Sequence, residues 1–78
     1  MRCHVEMFGG YHVAIYGGGV SVAITAPDGT SVHLQGEESA MLVDDYNDAC
    51  EDMAKGPGTR WGRMSERDVA SEIFGVLF

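Results

Sequence analysis

Three glycine-bearing breaks govern what the first half of this chain can become: Phe8-Gly9-Gly10, Gly17-Gly18-Gly19 and Pro27-Asp28-Gly29. Between them, within residues 2–35, lie short segments in which apolar and polar side chains alternate and Val, Ile, Tyr and Thr are frequent. Period-two alternation of β-branched and aromatic residues is the pattern of half-buried strands, and breaks this short join antiparallel neighbours. The reading is a four-stranded antiparallel meander. Its inward residues are expected to be Cys3, Val5 and Met7; Tyr11, Val13 and Ile15; Val20, Val22 and Ile24; then Val32 and Leu34.

A slip of one residue turns every side chain of a strand to the opposite face, so loop lengths must agree with apolar parity. A three-residue loop at Phe8-Gly9-Gly10 sets Val5 opposite Val13 and Met7 opposite Tyr11. A two-residue Gly17-Gly18 turn, where glycine accepts the positive φ of primed turns, sets Ile15 opposite Val20 and Val13 opposite Val22. Pro27-Asp28-Gly29 suits a type I turn closed by a left-handed glycine; it sets Ile24 opposite Val32 and Val22 opposite Leu34. The other face then carries His4, Glu6, His12, Ala14, Tyr16, Ser21, Ala23, Thr25, Ser31, His33 and Gln35. That set is small and polar, as suits a sheet wet on one side.

From Glu37 to Lys55 the period becomes helical. Leu42, Val43, Tyr46, Ala49, Cys50 and Met53 form one stripe, with Asp44, Asp45, Asn47, Asp48, Glu51 and Asp52 opposite. Glu37 and Glu38 suit the positive end of the helix dipole, and Gly56-Pro57 is a stop signal. After the linker from Gly56 to Met64, Ser65 is expected to cap a second helix whose buried stripe is Val69, Ala70, Ile73, Phe74 and Leu77. The expected architecture is α+β: one domain over 1–78, a meander followed by two helices packed on one face, in a two-layer sandwich.

Charge narrows the function. Of the 78 residues, 12 are acidic and 5 basic, a formal net charge of −7. Direct nucleic-acid binding and attachment to an anionic membrane both need the opposite balance. No charged stretch leading into an apolar one opens the chain and no apolar run reaches membrane-spanning length, so the expected compartment is the cytoplasm. Cys3 and Cys50 then read as reduced, buried thiols.

Catalytic constellations are wanting. Gly17-Gly18-Gly19 lacks the Lys-Ser/Thr and the helix of a phosphate-binding loop. There is no Gly-x-Ser-x-Gly elbow, and Cys50 on an acidic helix is poorly placed to be a thiolate. His4, His12, His33 and Glu6 share the expected outer face, but two strand spacings of ~4.8 Å separate His12 from His33, too wide for a tight tetrahedral site. No catalytic residue, metal ligand or cofactor is therefore assigned, and the protein is read as a non-enzyme.

The acidic stripe is either a solvated face or a docking face. Seven carboxylates, Glu37, Glu38, Asp44, Asp45, Asp48, Glu51 and Asp52, occur without a basic residue among them. Like charges at i and i+4, such as Asp44 with Asp48, cost helix stability, so amphipathicity alone does not account for them. The compensating bases are displaced to Lys55, Arg60, Arg63 and Arg67. Arg60, Trp61 and Arg63 form a second candidate contact, because Trp and Arg are favoured at interface hot spots. The competing reading has Trp61 sealing the core and the arginines neutralising the helix.

A small, acidic α+β chain whose charge is concentrated between Glu37 and Asp52 resembles the inhibitors that phages and mobile elements encode against bacterial defence complexes, the anti-CRISPR proteins. That resemblance implies inhibition by protein–protein contact, with a CRISPR effector or another complex bearing a basic nucleic-acid-binding surface as partner, in some cases by mimicry of DNA. Two alternatives stand beside it: an adaptor or homodimerisation module using the polar sheet face, in which case the protein is a dimer rather than a monomer, and a weak metal-binding protein using the sheet histidines.

Overall fold

Gly9 and Gly10 take φ values of +58° and +90°, the two positive values a two-residue type I′ hairpin loop requires. In the computed structural model, which describes residues 3–78, this loop joins strand β1 (Cys3–Phe8) to β2 (Tyr11–Tyr16). Strands β3 (Ser21–Thr25) and β4 (Ser31–Gln35) complete a four-stranded antiparallel sheet in the order β1-β2-β3-β4. The helices are α1 (Gly36–Lys55) and α2 (Glu66–Phe74), the latter running into a 3₁₀ turn, Gly75–Leu77.

The first hairpin corrects the expected register. Its loop is one residue shorter, so Phe8 pairs with Tyr11, Glu6 with Val13 and Val5 with Ala14. Strand β1 is thereby turned over: His4, Glu6 and Phe8 face the helices, while Cys3, Val5 and Met7 face away. Two causes favour this arrangement. The two-residue glycine loop matches the twist of the strands, and Phe8 is a larger apolar group to bury than Met7. Phe8 is 6% exposed and meets Tyr46 edge-on at 5.1 Å and Phe74 at 6.3 Å between ring centroids.

The second loop is two residues longer than expected, spanning Gly17 to Val20 with Tyr16 opposite Ser21 and Val13 opposite Ile24. An even shift preserves the face, so of the inward residues expected on β2 and β3 only Val20 leaves the core, at 69% exposed. Val20 instead serves through its backbone, its carbonyl accepting the Gly36 N–H at 3.0 Å where α1 begins. The third hairpin has the expected pairing, Ile24 with Val32 and Val22 with Leu34, and Gly29 sits at φ +94°.

Both helices cover the same side of the sheet, α1 over β3 and β4, α2 over β1. The expected stripes are the ones buried: Leu42, Val43, Tyr46 and Ala49 from α1, and Val69, Ala70, Ile73 and Phe74 from α2. Phe74 is fully buried in an aromatic group with Phe8, Tyr11 and Tyr46. Ser39 is buried among apolar neighbours, and its hydroxyl donates to the Gly19 carbonyl at 2.9 Å. Ser65 caps α2 as expected, its hydroxyl accepting the Asp68 N–H at 3.2 Å. Gly9 seats α2 on the first hairpin. Its N–H donates to Glu66 Oε2 at 2.8 Å, and a Cβ there would lie 2.5 Å from that of Ala70.

Candidate functional site

Helix α1 projects Glu37, Glu38, Asp44, Asp45, Asp48 and Glu51 into solvent, with Asp52 half-buried. The burial of its other face against β3 and β4 fixes that orientation, since a stripe of period 3.6 leaves one side outward. From Glu37 to Asp52 the axis advances about 22 Å at ~1.5 Å per residue, so the seven carboxylates are spaced ~3.7 Å apart on average. A single DNA strand carries one phosphate per ~3.4 Å of axis. The row is interrupted at Ser39–Val43, where Met41 projects instead, 64% exposed.

Only Glu51 among these carboxylates has a cation within 4.0 Å among the described residues: Lys55 Nζ, 2.9 Å away. The hydrogen bond from Lys55, reinforced by its charge, holds the Glu51 carboxyl below its ordinary pKa, and Glu51 raises that of Lys55 in return. Two of the arginines that would neutralise the helix, Arg60 and Arg63, are engaged elsewhere. Arg60 lies over the Trp61 ring, its guanidinium carbon 4.6 Å from the centroid, and Arg63 Nε donates to the Pro57 carbonyl at 2.9 Å. Trp61 is half-buried and packed on the hydrophobic core, so it seals the core and also supplies the surface on which Arg60 rests.

The linker holding these residues is tightly folded. The Thr59 hydroxyl is 2.8 Å from the Asp52 carbonyl and 2.9 Å from that of Gly56, and it accepts the Gly62 N–H at 3.1 Å. It thereby adds to the backbone bonds already closing the end of α1, where the Asp52 carbonyl accepts the Gly56 N–H at 3.1 Å and the Gly56 carbonyl accepts the Thr59 N–H at 3.3 Å. Gly62 lies so close to the Gly56 carbonyl that no side chain fits there. Arg60, Trp61 and Arg63 are therefore fixed near the C-terminal end of α1, whereas Glu37 and Glu38 lie at its other end.

The acidic face has two flanks. Asp44 borders a groove between α1 and the β2–β3 loop, with Gly18, Val20 and Ala40. Glu38 and Asp45 border a second groove, floored by Leu34, Leu42 and Ile73 and edged by Met41 and Val76. Val76 is 83% exposed. Sequence periodicity missed these apolar groups because Met41 falls outside the buried stripe and Val76 lies in the 3₁₀ turn, where the helical period no longer applies.

The turning of β1 separates the histidines. His4 and Glu6 pair at 3.1 Å on the helix side, while His12 and His33 remain on the open side, so the expected shared face does not exist. Among the described residues no three His, Cys, Asp or Glu side chains are grouped closely enough to hold a metal ion. The thiols are also divided: Cys3 is exposed on the open face rather than buried, and Cys50 is half-buried on α1. Burial pushes the Cys50 thiol pKa up, and the charges of Glu6 and Glu66 push it further, which opposes a nucleophilic thiolate. No helix among the described residues is long and apolar enough to cross a membrane.

No protein-family model, curated protein or solved structure matches the chain.

Proposed function

We propose that this protein is a non-enzymatic inhibitor of the anti-CRISPR kind, docking the acidic face of α1 on a basic, nucleic-acid-handling protein complex such as a CRISPR effector. One observation carries the reading. The carboxylates of α1, exposed except for the half-buried Asp52, stand at close to the linear charge density of a DNA strand, and among the described residues no arginine lies within 4.0 Å of them. A solvated face does not call for such an array, and its mutual repulsion costs helix stability. Facing a basic channel, the same repulsion is relieved and steers association. The groove beside Glu38 and Asp45 adds an apolar socket, which suits a partner segment with a hydrophobic side chain among Lys and Arg.

The test is competition. The protein should displace labelled duplex DNA from the effector complex, and Asp45→Lys with Asp48→Lys should weaken displacement about 10-fold or more, corresponding to at least ~1.4 kcal/mol. The doubly substituted protein should melt no lower than the parent, because the change removes like-charge neighbours. Displacement unaffected by the substitutions would exclude the acidic helix as the contact.

A further inference from the structure

The sheet face turned away from the helices carries no Asp, Glu, Lys or Arg among the described residues, in a chain of formal charge −7. The turning of β1 creates this condition, moving Glu6 to the helix side and bringing Val5 and Met7 outward, 50% and 63% exposed. Toward the β4 edge the same face has a shallow depression lined by Tyr16, Ser21, Ala23, Ser31 and His33.

We propose that two copies of the chain pair face to face through these open sheets, about a two-fold axis parallel to the strands. Such an axis lays β1 of one copy over β4 of the other. Met7 then faces the partner's Ser31, Val5 faces the partner's His33, and Ala14 faces the partner's Ala23. The projecting side chains along one edge enter the depression near the opposite edge, and the partner's do the same in return. This self-complementarity is the condition for an isologous contact.

Charge selects a second copy as the occupant. Two bodies of charge −7 repel through most surfaces, but this approach keeps both helix layers on the outside and meets through uncharged groups. The area is sufficient for a weak dimer. Four strands at ~4.8 Å and five residues at ~3.4 Å give a patch of roughly 19 by 17 Å. Two such faces bury roughly 650 Å² of planar area before side-chain relief is counted, within the weak, transient class below ~1,200 Å², so dissociation is expected in the high-micromolar range.

Sedimentation equilibrium from about 10 μM to about 1 mM tests this. The mass should rise from 8.4 kDa toward twice that value. Met7→Lys and Ser31→Glu, both at exposed positions, should each raise the dissociation constant about 10-fold or more, and the chain carrying both should recover the dimer by pairing Lys with Glu across the axis. Val5→Lys with His33→Glu, the next facing pair, serves in place of Met7→Lys with Ser31→Glu if circular dichroism shows the latter misfolded. A parent chain that stays at 8.4 kDa throughout overturns the proposal, as does dimerisation indifferent to the single substitutions. DNA displacement by the Met7→Lys chain is read separately, since the acidic helix lies on the other side of the sheet.

Discussion

On the helix side of the sheet, Val13, Val22 and Ile24 are at most 1% exposed beneath two helices, whereas on the open side Val5 and Met7 are at least half exposed. The helix layer and the loops around it hold the charge of the described residues, including every carboxylate except Glu6 and Asp28, while the open face holds none. Burial and charge are thus segregated by layer. Folding free energy is concentrated on one side of the sheet, which leaves the other side free to change with little effect on stability.

Truncations to alanine on the two sides put this contrast to its strongest test. Phe74→Ala, in the centre of the aromatic group, should cost about 3–5 kcal/mol in urea unfolding, enough to leave so small a domain largely unfolded. Val5→Ala on the open face should stay within about 0.5 kcal/mol. A large loss at Val5 would show that the monomer's stability depends on the open face. Next in size is Gly9→Ala. A methyl there meets Ala70 and the Glu66 carbonyl at a left-handed φ, and the expected cost is about 2–4 kcal/mol in the same measurement.

Ser39→Ala should cost about 1–2 kcal/mol, because it leaves the buried Gly19 carbonyl without its donor. The smallest effect concerns the thiols. At pH 8, Cys3 should alkylate rapidly and Cys50 slowly, the ratio being read by mass spectrometry. The folded-state pKa of Cys50 is raised, so its contribution to stability is complete below the unfolded value, ~8.5, and is lost as pH rises through the folded one. Equal labelling rates would mean that α1 opens locally.

The helices were legible in the sequence because a 3.6-residue stripe needs no knowledge of its partner; Leu42 to Met53 and Val69 to Leu77 packed as their spacing implied. The hairpins were legible in proportion to how firmly their loops fix length. Pro27-Asp28-Gly29 combines a restrained φ with a left-handed position and admits one pairing. The glycine triplet admits loops differing by two residues, which changes the partners and keeps the face. Phe8-Gly9-Gly10 fits a loop of two or three residues, and those lengths place opposite faces of β1 in the core. The alternation Cys3-Val5-Met7 argued for one choice; Phe8, treated as part of the loop, decided for the other. The acidic row on α1 could be read directly, but the grooves beside it could not, because Leu34, Met41 and Val76 come from three segments joined only by tertiary packing.

The seat of α2 on Gly9 also bears on how quickly the chain folds. Glu66 and Gly9 are 57 residues apart, whereas strand neighbours in the meander meet across short loops. Closing the longer loop carries an entropic cost before any contact repays it, and that cost must be met before Phe74 reaches Phe8. The hairpins are therefore expected to form early and the aromatic group to wait for the last helix, with docking of α2 as the expected slow step.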